Sequence, residues 1–106
     1  RSKSERSLAD FFTERGVAFR YEAKLAINGK VYYPDFMILC DDGRILIWEH
    51  FGLMDKEEYF ISACRKLEQY RRAGYVQHSN LICTYEEDLR SGAVLEEILL
   101  RYELYS

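Results

Sequence analysis

"YYPDFMILCDDGRILIWEHFG", residues 32 to 52, decides the fold. An acid directly follows the proline, an apolar run leads into "DDG", and a second apolar run climbs to another acid. The two runs around "DDG" predict a hairpin, and the middle of Arg44–Phe51 is apolar on both faces, as expected of a strand covered on both sides. Loop length fixes which side chains meet. A two-residue turn at Asp42-Gly43 pairs Asp35 with His50 and sends Glu49 to the opposite face, because a slip of one residue inverts a strand. A three-residue loop Asp41-Asp42-Gly43, with glycine in the left-handed position of a bulged type I turn, sets Asp35 directly across from Glu49. "DDG" suits the second arrangement.

Directly opposed residues have Cβ atoms about 4.5–5.5 Å apart, and like charges placed there repel unless something neutralises them. A divalent cation would do so. Two hard oxygen ligands on rigid strands, with the remaining positions left to water and phosphate, describe a magnesium or manganese site suited to phosphodiester cleavage. The plainer alternative is a pair of solvated acids flanking a turn. Glu49 is an unexpected solvated acid, since it follows "ILIW".

Outward from this hairpin, Ser4 and Ser7 are candidate N-caps for a short amphipathic helix carrying Leu8, Phe11 and Phe12, with Gly16 as its stop. "VAFRYEAKLAI", residues 17 to 27, alternates apolar and polar residues and predicts one strand, Asn28-Gly29 a hairpin turn, and Val31 to Cys40 its partner. "DKEEYFISACRKLEQYRRAG" predicts a long helix capped by Asp55 and closed by Gly74. Its apolar stripe is Tyr59, Phe60, Ala63, Cys64, Leu67 and Tyr70. "NLICTY" reads as a short buried strand and "SGAVLEEILLRYELY" as a closing helix. The order is α-β-β-β-α-β-α, an α/β domain with a central mixed sheet flanked by helices.

The 106 residues fit one domain, 1–106, and its abrupt start at "RSKSERS" predicts a fragment of a larger polypeptide. A formal charge of −3 gives no global pull toward nucleic acid, so phosphate binding must come from a local basic patch. Cys40, Cys64 and Cys83 lie in apolar stretches and read as small buried hydrophobes in a reducing compartment. No apolar run is long enough to cross a bilayer, and a cytoplasmic location with no membrane partner is expected. Trp48 reads as core. His50 alternates away from Glu49 and reads as a packing or hydrogen-bonding histidine. His78 carries no visible partner.

The proline-aspartate opening one strand, the acid-bearing strand after a hairpin and the element order resemble the PD-(D/E)XK nuclease superfamily, with its restriction-endonuclease-like fold. "WEHFG" followed by "LMDKEEY" and a helix bearing "RKLEQY" is similar to nuclease-like domains attached to bacterial DNA helicases of the UvrD type. The resemblance implies a DNA-acting hydrolase, with a helicase module in the same polypeptide as a possible partner. Asp35 and Glu49 would be catalytic ligands for Mg2+ or Mn2+, joined by the backbone carbonyl of His50 and by Glu5 on the first helix. The motif lysine falls at Phe51, which cannot orient a nucleophile. Lys66 is the best substitute, with Lys24 and Lys56 poorer ones. "KLEQY" resembles the Q-x-x-x-Y helix motif of RecB-like nucleases, with lysine in place of glutamine, and Lys66 and Tyr70 share a helix face. Arg6, Lys66, Gln69 and Tyr70 are the nucleic-acid contacts so implied. A degenerate nuclease fold that binds DNA or docks a protein, and a stand-alone endonuclease resembling the very-short-patch repair type, are the alternatives.

Overall fold

The Asp41-Asp42-Gly43 loop turns the chain as a bulged type I hairpin. In the computed structural model, which describes residues 2–104, the amide of Gly43 donates to the Cys40 carbonyl (3.0 Å) and that of Cys40 to the Arg44 carbonyl (2.9 Å). Gly43 sits at φ +92°, a left-handed conformation that costs any side chain, and Asp42 accepts from the Arg44 amide to lock the turn. The loop sets the register: β4 (Phe36–Leu39) runs antiparallel to β5 (Ile45–Phe51), with Phe36 opposite Trp48 and Leu39 opposite Ile45. One residue beyond Phe36, the same register puts Asp35 across from Glu49.

Among the described residues the architecture is mixed α/β: three α-helices, a four-stranded mixed sheet in the order β1-β4-β5-β6 and a separate two-stranded sheet, β2-β3. The single strand expected over residues 17–27 is instead two, β1 (Phe19–Tyr21) and β2 (Leu25–Ile27), and its partner divides into β3 (Lys30–Tyr32) and β4. Pro34 has no amide to give to a ladder, and across from the neighbouring Asp35, Glu22 turns left-handed at φ +48°. Both halves keep one register, Tyr21 opposite Phe36 and Leu25 opposite Tyr32, so the long hairpin bends without slipping. Its tip, closed by Asn28 and Gly29 both at positive φ, leaves the main sheet.

β6 (Leu81–Tyr85) returns parallel to β5 after the crossover helix α2 (Glu57–Arg72), which makes β5 a central strand. On one face of the sheet, α1 (Lys3–Glu14) and α3 (Gly92–Arg101) bury Leu8, Phe12, Leu95 and Leu99 against Phe36, Ile38, Leu46, Trp48 and Ile82. The Phe12 ring lies 4.8 Å from Trp48 and 5.2 Å from Phe36, both edge-on. On the other face α2 and the bent hairpin tip enclose a smaller cluster of Ile47, Tyr70 and Leu81, with Leu25, Tyr32 and Leu67 at its margin.

Several local expectations are corrected. The cap of α1 is Ser2, which accepts from the Glu5 amide, whereas Ser4 and Ser7 lie inside the helix. Lys56, not Asp55, occupies the N-cap of α2, and it makes no side-chain cap bond. The stripe on α2 is buried only in part: Ala63 and Tyr70 are inside and Leu67 half-buried, but Tyr59, Phe60 and Cys64 are exposed. The small cluster reaches only the second half of the helix. A 3-10 helix, Glu86–Leu89, follows β6 and had no signal in the sequence. Residue 1, the last residue of the closing helix motif, 105, and residue 106 lie outside the described residues. No helix among the described residues is long and apolar enough to cross a membrane.

Candidate functional site

β5 alternates, and its two faces separate two polar systems. Glu49 points with Ile47 toward α2, while His50 points with Trp48 toward α1. Glu49 is 0% exposed, an unusual place for a carboxylate. It survives there because its oxygens have partners. The Tyr70 hydroxyl donates to Oε1 at 2.5 Å, Lys66 Nζ lies 2.9 Å from the same atom, and the Asp35 amide makes a long contact of 3.4 Å to Oε2.

Asp35 is held by the backbone on both sides. Its carbonyl accepts from the Glu22 amide at the hairpin bend (3.0 Å), and its Oδ2 accepts from the His50 amide (2.9 Å). The bend forced by Pro34 therefore also positions the first acid.

Burial and the neighbouring Asp35 push the Glu49 carboxyl up to about 8, while Lys66 and Tyr70 pull it back. The Tyr70 phenol is driven upward by burial and by Glu49, so it remains a donor. One lysine thus faces two carboxylates without fully offsetting them.

The pair opens onto a cleft of about 420 Å3 lined by Glu5, Asp35, Glu49, His50, Lys66 and Glu86 on the polar side. Leu53, Met54 and Tyr59 line it as well. Lys66 is partly exposed and bridges the buried acid to this open space. Glu5 lines the cleft from α1, where its Oε1 accepts from the Tyr21 hydroxyl at 2.6 Å.

The structure therefore brings together Asp35, Glu49 and Lys66, and it sets Glu5 at the same cleft. It does not bring Arg6 or Gln69 there; both are exposed elsewhere on their helices. Tyr70 is 1% exposed with its hydroxyl given to Glu49, so it supports the acid and has no surface for a nucleic acid. Phe51, at the position of the absent motif lysine, is buried with its ring 6.1 Å from that of Tyr85.

Sequence reasoning missed the second polar system. The Trp48 indole donates to Thr84 Oγ1 (3.0 Å), which lies 2.9 Å from His50 Nδ1, and His50 Nε2 lies 3.0 Å from Glu86 Oε1. The Glu86 carboxylate can only accept, so the Nε2 proton points to it, and in the neutral ring Nδ1 is then the acceptor of the Thr84 hydroxyl proton. Glu86 also accepts from the Ser4 hydroxyl at 2.8 Å, which ties α1 to the end of β6, and these bonds hold its carboxyl below the usual range. A Cβ on Gly52 would come within 3.0 Å of Glu86 Oε1, so glycine leaves room for this contact. Glu86 directly follows "LICTY" at the carboxyl end of a parallel strand, where open α/β sheets form their crevices; that was the available signal.

A cation at this site would have to be a hard one that keeps part of its water. Asp35 and Glu49 supply carboxylate oxygens, as Mg2+ requires, but among the described residues no group of three or more His, Cys, Asp or Glu side chains is placed to hold a metal. His50 offers no ring nitrogen, since both are engaged. A cation here would be shared between two carboxylates, water and a ligand, and would not sit in a closed protein cage.

No protein-family model matches the chain, and a search of curated proteins finds no match.

Proposed function

We propose that this is a metal-dependent nuclease-like domain acting on DNA phosphodiester bonds, working beside a helicase module. The observation that carries this reading is the convergence of Asp35 and Glu49 from paired strands at the floor of an open cleft, with Lys66 Nζ 2.9 Å from Glu49. Asp35 and Glu49 would hold Mg2+ or Mn2+. The chemistry supplied by such a cation when bound is a water of lowered pKa and relief of charge on phosphate oxygens. Lys66 would stand in for the missing motif lysine, its ammonium offsetting negative charge that develops on the phosphate. Tyr70 keeps Glu49 oriented through its hydroxyl, and the His50 amide does the same for Asp35.

Calorimetric titration with Mn2+ tests the site. Binding by the wild type that is lost in Asp35→Asn and Glu49→Gln supports it; equal binding by both variants rules it out. Plasmid nicking that is lost in Lys66→Ala, with Mn2+ binding retained, supports the catalytic part.

One observation favours a second reading, a degenerate nuclease fold kept for DNA binding or protein docking. Phe51 is buried where the motif lysine would act, and Lys66 and Tyr70 already satisfy Glu49 from within. DNA retained without cleavage under Mg2+ and Mn2+ would select it.

A further inference from the structure

Resting on the nucleic-acid reading proposed above, we infer that the cleft takes an unpaired nucleotide, a single-stranded DNA end or flap, with its base against Leu53, Met54 and Tyr59. The charge lining the cleft argues against a duplex. Among the described residues, Glu5, Asp35, Glu49 and Glu86 face it with a single lysine or arginine, Lys66, and that cation is already paired with Glu49. Duplex binding draws its strength from many Lys and Arg contacts to phosphates, and these walls do not offer them. Single strands are held instead by stacking of exposed base faces on aromatic and apolar side chains. Those faces are hidden in a duplex.

The opposite wall supplies such a surface. Leu53 and Tyr59 remain 51% and 47% exposed although both line the cleft. Leu53 is held at φ +54°, a left-handed conformation that a leucine adopts only against steric resistance, in a turn closed by the Lys56 amide on its carbonyl (3.0 Å). About half of the side chain nevertheless stays exposed. Tyr59 stands in the first turns of α2, where the small cluster does not reach. A base seated on this wall leaves its phosphate beside Asp35, Glu49 and Lys66.

Fluorescence anisotropy on the whole chain, with EDTA and with Mn2+, compares a labelled oligothymidylate with a blunt hairpin duplex lacking unpaired ends, and a gel reads cleavage in the same samples. The single strand is expected to bind at least about tenfold more tightly than the duplex, and Tyr59→Ala to remove about tenfold of that affinity, the loss of one stacked base. Tyr59→Phe keeps it. Leu53→Gly relieves the left-handed strain, so it should raise the melting temperature while weakening single-strand binding. A variant that merely misfolded could not do both. Equal or tighter binding of the duplex, or unchanged single-strand binding in both Tyr59→Ala and Leu53→Gly, overturns the inference. Duplex cleavage without single-strand preference sinks the inference and leaves the nuclease reading standing. Single-strand binding without cleavage in Mn2+ does the reverse, and no binding of either probe removes both.

Discussion

The two faces of the central sheet are built to different standards. Toward α1 and α3, side chains from β4, β5 and β6 close a continuous apolar layer in which Phe12, Phe36 and Trp48 meet edge to face. Toward α2 only Ile47, Tyr70 and Leu81 form a fully buried cluster, and the next inward position of β5 is a carboxylate. The same strand serves both, one residue out of phase. The difference teaches where stability and chemistry are divided in a small domain: one face is packed well enough to hold the sheet, and the other can then carry a buried acid that opposes folding.

The largest effect expected is on the packed face. Trp48→Ala should cost about 3–5 kcal/mol in urea unfolding, since it empties the centre of the aromatic cluster and removes the donor to Thr84. A loss of less than about 1 kcal/mol would mean the two faces share the load equally.

Next is pH. The Glu49 carboxyl titrates near 8 in the fold, against an ordinary 4.5 in the unfolded chain, so between those values the folded state holds more protons. Stability contributed by the neutral form is therefore complete below about pH 4.5, declines as pH rises, and is gone above about pH 8. The decline should amount to a few kcal/mol, readable as a falling melting temperature. Glu49→Gln should flatten it, and so should Mn2+ by favouring the ionised form. A melting temperature independent of pH in the wild type would show that the α2 face carries no strained acid.

Smaller still is Lys66→Met. Loss of the ammonium moves the Glu49 titration further up, and stability at pH 7 should fall by about 1 kcal/mol, the worth of one hydrogen bond to a group that can neutralise itself. NMR of labelled glutamate carboxyls would follow the shift directly. Smallest is Phe60→Ser, on the exposed first half of α2, which should change stability by no more than about 0.5 kcal/mol. A larger loss would mean that α2 is packed along its whole length.

Local signals accounted for much of this fold. The hairpin with its three-residue loop, the Asn28-Gly29 turn, the crossover helix and the strand after it were legible because each depends on neighbours in sequence: a glycine able to turn left-handed, a proline without an amide, an apolar period. Asp35 and Glu49 could be paired from the loop length alone. The bend in the long hairpin was missed, although Pro34 marked it, because alternation continues straight across residues 22–24. The helix stripe misled for a related reason. Periodicity reports that Tyr59, Phe60 and Cys64 share a face with Ala63 and Tyr70, but not whether another element lies opposite.

By itself, then, the sequence determined the elements, the turn that closes β4 on β5, and the facing of two acids, since backbone sterics and strand period act over a few residues. Tertiary structure alone decided what surrounds those acids. Lys66 and Tyr70 reach Glu49 from a helix, Glu86 reaches His50 from beyond β6, and the folded-over hairpin tip seals Tyr70 inside. Such meetings are fixed by how elements pack across long stretches of chain. The electrostatic character of a buried carboxylate comes from those neighbours.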